Sequence, residues 1–208
     1  MIIDGVEMRD LRADDAGALA DALARNRANM RAVEPDRPDA FYTAAGQRAR
    51  IDGMLAERDG GRMRPYLLVH GGHGDHGGHG GHGDQGEEVV GAVNLGTITH
   101  GPLCSGGIGY WVDRAWRGRG LAYAAVEEVL RIARDEVGLH RVEAGTLTDN
   151  HASQRVLAKA GFERYGTAPR YLHINGAWRD HHLFQRLLHD DPPYAVRGLS
   201  GGSGSDRS

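Results

Sequence analysis

The sequence predicts a mixed α/β fold, with a central sheet of about seven strands that is largely antiparallel but contains one parallel pair, flanked by about four helices. Residues 108–137 pass from a β-branched and aromatic run through a glycine-rich turn into an amphipathic helix. A short connection then leads into another strand-like run over Arg141–Leu147, as in a parallel βαβ unit. Near the C-terminus, Asn175-Gly176 between two strand-like runs is typical of a β-hairpin.

The N-terminal part of the chain predicts two strands that enclose two helices. Asp14 and Thr43 are residue types that cap helix N-termini, and apolar residues follow each of them at helical spacing. Two prolines between the helices indicate a loop. The predicted elements are a strand over 6–11, a helix over 14–30, a loop over 34–39, a helix over 43–58 and a strand over 65–69.

The C-terminal part predicts the remaining strands and two more helices. A strand over 89–99 turns back through 100–106 into an antiparallel strand at 108–112. A helix from Leu121 to about 137 precedes the strand Arg141–Leu147, and a short helix from Asp149-Asn150 to about 160 follows it. The hairpin strands are expected over 171–174 and 178–188. Residues 1–189 are thus predicted to form a single domain, and residues 190–208 a disordered tail.

Composition excludes several classes of function. The net charge is −3, which argues against a general nucleic-acid binder. There is no apolar run of the roughly 20 residues that a membrane span requires, and no signal peptide is expected. Cys104 is the only cysteine, so an internal disulfide is impossible and a reducing compartment is indicated. We expect a cytoplasmic protein, monomeric or homodimeric, that binds neither nucleic acid nor membrane.

Residues 70–88 form a low-complexity insertion rich in histidine and glycine. Histidine recurs at every third position from His70 to His82. Such tracts can bind divalent metal. Glycine supplies most of the intervening residues, however, so ordering the backbone around a metal is costly. We interpret the segment as a disordered insertion between two strands and predict no catalytic metal.

The glycine-rich turn over 117–122 predicts an anion site. The first N–H groups of the following helix have no intrahelical partner, and the helix dipole favours negative charge there. Gly118 and Gly120 allow close backbone approach, and two arginines add positive charge. The turn lacks the lysine of an NTPase P-loop, and Tyr123 stands where a dinucleotide-binding fold needs its third glycine. The remaining pattern is R-x-x-G-x-A.

This pattern resembles the pyrophosphate loop of the GNAT superfamily of N-acetyltransferases. Further blocks over 89–188 are similar to the RimJ/RimL type, which acetylates ribosomal-protein N-termini: G-Y-W-V-D, G-L-H-R-V-E-A, D-N-x-A-S-x-R-V-L-x-K-x-G-F and Y-L-x-I-N-G-x-W-R-D-H. The resemblance implies a GNAT fold whose parallel strand pair is splayed at the acetyl-CoA site. It implies acetyl-CoA as co-substrate and an amine as acceptor.

The resemblance also implies roles for individual residues. The strand at Trp111 and Val112 would lie along the pantetheine arm, with the Val112 N–H polarising the thioester carbonyl. Asn150 would form a hydrogen bond with the pantetheine, although Asn in this position also caps a helix. Ser153 would protonate the leaving thiolate. The pyrophosphate would be held by Arg117, Gly118, Arg119, Gly120, Leu121 and Ala122.

The general base stays unassigned. Many members of the family carry Glu two residues before the G-Y-W motif, where this chain has Gly107. Glu143 on the neighbouring strand and His100 are candidates, and a chain of water molecules is the default. Tyr165 stands where relatives often show a second Glu.

Three functions remain open from the sequence. The first is acetylation of a protein N-terminal α-amine, as on a ribosomal protein. The second is acetylation of a small amine, such as an antibiotic, polyamine or amino acid. The third is a non-catalytic module that binds acyl-CoA or metal. Glu34, Asp36 and Asp39 predict an acidic acceptor cleft, and Asn94 is either a polar group of that cleft or an outward-facing residue.

Overall fold

The computed structural model describes residues 2–3, 5–71 and 87–193, which form one seven-stranded sheet with helices on both faces. The strands are β1 (Val6–Asp10), β2 (Arg64–His70), β3 (Glu88–Thr99), β4 (Ser105–Val112), β5 (Arg141–Leu147), β6 (Glu163–Ile174) and β7 (Ala177–Leu187). The α-helices are α1 (Ala16–Met30), α2 (Ala44–Asp59), α3 (Leu121–Asp135) and α4 (His151–Lys159). Short 3-10 turns cover Ala13–Asp15, Asp39–Tyr42 and Arg114–Trp116.

The sheet has the strand order β1-β2-β3-β4-β5-β7-β6. Neighbouring strands are antiparallel except β4 and β5, which are parallel and joined by α3. The predicted fold class, strand number and single parallel pair are therefore confirmed. The hairpin turn is also as expected, because Asn175 and Gly176 both have positive φ, as a type I′ turn requires.

Each face of the sheet has its own apolar core. Leu19 and Leu23 of α1 and Ile51 of α2 pack on one face, against Leu67 of β2. On the other face, α3 and α4 pack against the sheet through residues such as Val126, Val129 and Leu157. We name these the α1/α2 face and the α3/α4 face. Within the described residues, no helix is both long enough and apolar enough to cross a bilayer.

The parallel pair separates soon after it forms. Among the described residues, pairing of β4 with β5 is confined to Ser105–Gly107 against Arg141–Glu143. Beyond this point β4 continues beside β3 as far as Val112, and β5 continues beside β7 as far as Leu147. A gap therefore opens between β4 and β5, and the N-termini of α3 and α4 lie at the carboxyl ends of these two strands.

Some predicted boundaries were wrong. β6 begins at Glu163, eight residues before the expected start at 171, because its register shifts twice against β7 and the shifts break the sequence alternation. β4 begins at Ser105, inside the turn predicted over 100–106. The N-cap of α1 is Asp15 rather than Asp14.

The predicted insertion over 70–88 is shorter at both ends. His70 and Glu88 are paired residues of β2 and β3. The other histidines of the repeat lie outside the described residues, as do residues 194–208 of the predicted tail. The single-domain boundary at 189 stays a prediction.

A buried carboxylate ties the end of β4 to α1. Asp113 is 3% exposed, and its Oδ2 accepts hydrogen bonds from Arg25 Nε at 2.9 Å and Asn26 Nδ2 at 2.7 Å. Its Oδ1 accepts from the Ala115 N–H at 2.8 Å, and Asn26 Oδ1 accepts from the Arg114 N–H at 3.0 Å. This network fixes the direction in which the chain leaves β4 for the glycine-rich turn.

Replacement of Asp113 by Asn is expected to lower the free energy of unfolding by about 2–3 kcal/mol, because it removes the charge from a buried hydrogen-bonded group. Burial raises the pKa of Asp113, but the hydrogen bonds from Ala115, Asn26 and Arg25 outweigh it and lower the pKa overall. A carboxylate with a lowered pKa stabilises the fold above its unfolded-state pKa, and that stability is lost as pH falls through the folded-state value.

Urea unfolding measures the free energy of unfolding of variant and wild type at pH 7 and at about pH 3. The two values should differ strongly at pH 7 and less at low pH. Asp59→Asn is the control, because Asp59 pairs with Arg58 at the surface. An Asp113→Asn effect no larger than that of the control, or equal at both pH values, would contradict the anchoring role.

Candidate active site

The backbone N–H of Val112 faces the gap between β4 and β5 and takes no part in the hydrogen-bond ladder between β3 and β4. The Asp113 N–H donates to Val90 O at 2.8 Å, and Val112 lies opposite Gly91. Hydrogen-bonded and non-hydrogen-bonded pairs alternate in an antiparallel ladder, so Val112 and Gly91 form a non-hydrogen-bonded pair. The Val112 N–H therefore points away from β3 and towards the gap.

Gly91 allows β3 to approach β4 closely at this position. A Cβ on Gly91 would lie 2.6 Å from Trp111 O and 2.9 Å from Leu68 Cδ1. Any larger residue would push the end of β4 away and displace Val112.

The glycine-rich turn presents the N-terminus of α3 at the end of the gap. Gly120 is the N-cap and has φ +83°, and Gly118 has φ +77°, so both use the left-handed region that favours glycine. A Cβ on Gly118 would meet no described atom within 4 Å, which leaves room for a ligand against the backbone. Leu121, the first residue of α3, is buried and anchors the helix start.

The two arginines of this turn are exposed. The Arg119 guanidinium lies 4.6 Å from the centroid of the Trp116 ring, which in turn contacts the His70 ring with centroids 4.7 Å apart. Arg117 follows the 3-10 turn directly. The turn thus combines free helix N–H groups with two cations, which suits a pyrophosphate.

On the other side of the gap, α4 begins with Asn150. Its Oδ1 accepts a hydrogen bond from the Ser153 N–H at 3.2 Å, so Asn150 caps the helix, which was the alternative to contact with the cofactor. The two roles are compatible, because a carboxamide also has an N–H₂ group to donate.

Ser153 and Tyr110 meet across the gap. Tyr110 Oη lies 2.9 Å from Ser153 Oγ, and this contact joins β4 to the first turn of α4 beyond the point where the strands separate. Burial raises the pKa of Tyr110, although the bond to Ser153 lowers it in part. The phenol is therefore neutral near pH 7 and can donate a hydrogen bond to the serine.

The opposite face of β4 borders a cavity of about 160 Å³. Trp111 and Asn94 contribute to its lining, so Asn94 is a polar group of this cleft rather than an outward-facing residue. The Trp111 side chain packs with the α1/α2 core, away from the predicted pantetheine position. Other lining residues come from α1, α2 and the loop between them, including Glu34, Arg37, Phe41 and Arg50.

The expected acidic cleft is not what the structure shows. Glu34 lines the cavity together with the cations Arg37 and Arg50. Asp39 pairs with Arg27 at 2.5 Å, and Asp36 Oδ2 accepts a hydrogen bond from the Gly176 N–H at 3.0 Å. Asp36 therefore holds the tip of the β6–β7 hairpin against the α1–α2 loop. The sequence shows these three acidic residues, but it does not show that two of them, Asp36 and Asp39, bind other parts of the fold.

Glu143, a candidate base, has structural partners. Its Oε1 accepts a hydrogen bond from Tyr165 Oη at 3.1 Å and lies 3.7 Å from Arg141 Nη1. Glu143 is paired in register with Gly107, the position at which many relatives carry Glu. The other candidate, His100, lies in the turn between β3 and β4, at the opposite end of β4 from Val112, and it is not among the residues that line the cavity.

Sequence reasoning missed two parts of the site. Tyr110 belongs to the G-Y-W-V-D block, which assigns it no role, although its position two residues before Val112 puts both on the same side of β4. Arg37 and Arg50 were missed because two isolated arginines, one in a loop and one within a helix, carry no pattern.

Relatives of known name match nearly the whole chain. It is 33% identical over 186 residues to the probable N-acetyltransferase YjcK of Bacillus subtilis, covering 89% of this chain and 96% of that protein. It is 30% identical over 180 residues to the [ribosomal protein uS5]-alanine N-acetyltransferase of Escherichia coli, covering 86% of each.

Solved structures give the same picture. Mycobacterium smegmatis RimJ in complex with CoA-disulfide superposes with a TM-score of 0.78 at 32% identity, covering 94% of this chain and 88% of that chain. The ribosomal-protein-S5-alanine acetyltransferase of Vibrio fischeri superposes with a TM-score of 0.81 at 28% identity, covering 92% and 97%.

The family model described as the acetyltransferase (GNAT) domain matches residues 6–163. These residues include β1 to β5, all four helices and the first residue of β6. They contain the gap, the glycine-rich turn and the cavity lining described above. The chain therefore belongs to the GNAT family of acetyltransferases.

Proposed function

We propose that this acetyl-CoA-dependent N-acetyltransferase acetylates the α-amine at the N-terminus of a protein, with a ribosomal protein as the substrate class. The observation that carries the proposal is the 30% identity, over 86% of both chains, to an enzyme named for an N-terminal alanine of ribosomal protein uS5. The match extends through the α1–α2 region, which shapes the cavity. It is therefore not limited to the cofactor-binding half.

The described residues fit acetyl-CoA. The turn over 117–122 offers backbone N–H groups, two left-handed glycines and two exposed arginines to the pyrophosphate. The gap between β4 and β5 provides a polar strand edge along which pantetheine amides can bond, and the Asn150 carboxamide lies at its far side. Acetyl-CoA itself supplies a thioester, which is already activated for acyl transfer.

The chain contributes electrostatic stabilisation and a proton. The Val112 N–H would donate to the thioester carbonyl oxygen as negative charge develops on it. Ser153 would donate a proton to the departing sulfur, and Tyr110 would hold the serine hydroxyl and keep it oriented. Tyr110 is a positioning residue in this scheme, because it acts through Ser153.

Attack requires a neutral amine beside the carbonyl carbon. The cavity on the α1/α2 face borders Tyr110 and Trp111 at the level where β4 and β5 have separated. An amine that enters this cavity can reach the gap from the side opposite α3 and α4. Direct transfer forms the amide C–N bond, breaks the thioester C–S bond and needs no covalent enzyme intermediate. The proton that the attacking amine loses passes to water, since no side chain is assigned as the base.

Acceptor preference tests the proposal directly. In a thiol-release assay with acetyl-CoA, peptides with free N-terminal Ala or Ser are expected to release CoA, and the same peptides with a blocked N-terminus are not. A panel of small amines is the comparison. Turnover with a small amine alone would replace the proposal by a small-molecule acetyltransferase, and retention of acetyl-CoA without release would indicate a binding module.

Ser153→Ala is expected to lower kcat by about tenfold to a hundredfold, because a positioned acid contributes at least this much to proton transfer. Tyr110→Phe should lower kcat less and shift its pH profile, since the serine keeps its hydroxyl but loses its partner. Steady-state thiol release at a series of pH values measures both effects.

Arg155→Ala is the control, because Arg155 is an exposed residue of the same helix. The KM for acetyl-CoA should change little in all three variants. Wild-type kcat in Ser153→Ala, or equal losses in Ser153→Ala and Arg155→Ala, would remove Ser153 from the mechanism.

A further inference from the structure

Glu34, Arg37 and Arg50 form a charged cluster on the wall of the cavity. Among the described residues, no hydrogen bond reaches the Glu34 carboxylate and no ion pair within 4.0 Å involves it. Both arginines nevertheless lie close enough to lower its pKa, against the larger effect of burial, which raises it. The carboxylate therefore keeps its acceptor sites available to a ligand.

The guanidiniums of Arg37 and Arg50 also make few hydrogen bonds within the described residues. Arg37 lies over the Phe41 ring at 5.0 Å, and Arg50 lies over the same ring at 5.6 Å. Arg50 Nη1 donates to Gln47 Oε1 at 3.3 Å, which is one bond from a group that has five N–H donors. Phe41 thus holds both cations beside the cavity without neutralising them.

Two members of the cluster are partly withdrawn from water, which is unfavourable for a charged group that lacks a full set of hydrogen bonds. Glu34 and Arg50 are half-buried, and burial has the largest influence on the pKa of each, whereas Arg37 is exposed. The neighbouring ion pairs are complete by contrast, as at Arg27 and Asp39. Charged side chains that have no ion pair within the described residues and that line a cavity next to β4 are typical of a ligand site.

The chemistry of the cluster selects one kind of ligand. A carboxylate accepts hydrogen bonds from an amine in its neutral or protonated form, and a guanidinium donates to a carbonyl or carboxylate oxygen. An α-amino acyl group carries an amine and a carbonyl two bonds apart, and so offers both. A polyamine or simple alkylamine offers only the amine, and it would provide no oxygen acceptor for the two guanidiniums.

We propose that Glu34, Arg37 and Arg50 are the specificity site for the α-amino carbonyl group of the acceptor, with Glu34 receiving the amine and the two arginines the first carbonyl oxygen. This proposal rests on the proposed function for one point, that the α-amino carbonyl group belongs to a protein N-terminus. A second cavity of about 280 Å³ shares Met30, Glu34 and Arg37 with the first and provides space for the chain that follows the first residue.

Arg50→Gln and Arg48→Gln form a matched pair for the test. Both replace one arginine of α2 by glutamine, but Arg48 is 56% exposed and pairs with Asp52 at the surface. The acceptors are an N-terminal alanine peptide, alaninamide, and propylamine, which has the amine without the carbonyl. Thiol release gives KM and kcat for each acceptor, and thermal unfolding checks that the variants are folded.

Arg50→Gln is expected to raise the KM for the peptide and for alaninamide by about tenfold or more, because a hydrogen bond to a charged group is lost. It should leave the KM for acetyl-CoA and for propylamine within about twofold of wild type. Glu34→Gln should raise the KM for all three acceptors. Arg48→Gln should behave as wild type.

Equal KM values for alaninamide in Arg50→Gln and Arg48→Gln would overturn the proposal. So would failure of the wild-type protein, with CoA bound, to bind alaninamide in a calorimetric titration. Activity on alaninamide that depends on Arg50, without activity on any peptide, would refute the proposed protein substrate and support the specificity site.

Discussion

The separation of β4 from β5 after three paired residues is the constraint on which the site depends. A parallel ladder that continued would occupy the N–H of Val112 with β5 and leave no passage through the sheet. Because the strands part, one backbone donor, two helix N-termini and the Tyr110–Ser153 pair converge on the gap. The Asp113 network holds the open edge in place by anchoring the end of β4 to α1.

The gap also separates two chemical environments. On the α3/α4 face, free N–H groups and exposed arginines suit a pyrophosphate and a thioester. On the α1/α2 face, the cavity is lined by a carboxylate and two guanidiniums that form no ion pair within the described part of the chain. Asp36 ties the β6–β7 hairpin to the loop that carries Glu34 and Arg37. The cofactor and the acceptor can therefore approach the same backbone donor from opposite sides of one strand.

The sequence was sufficient where local chemistry decides the structure. The glycine-rich turn, the Asn150 cap and the Asn175-Gly176 hairpin each depend on neighbouring residues, and motif blocks in register identified the fold. The start of β6 was missed because its register shifts depend on pairing with β7. The charged cavity was missed for a similar reason. Only the packed loop shows that Asp36 and Asp39 have partners, whereas no ion pair involves Glu34 within the described residues.

A crystal structure of the protein with CoA and an N-terminal alanine peptide tests the central claim most directly. The account predicts pantetheine in the gap between β4 and β5, with the sulfur beside Ser153 and the pyrophosphate on the turn over 117–122. It predicts the peptide amine in the cavity on the other face, within reach of the sulfur. CoA bound outside the gap, or both ligands on the same face of β4, would contradict it.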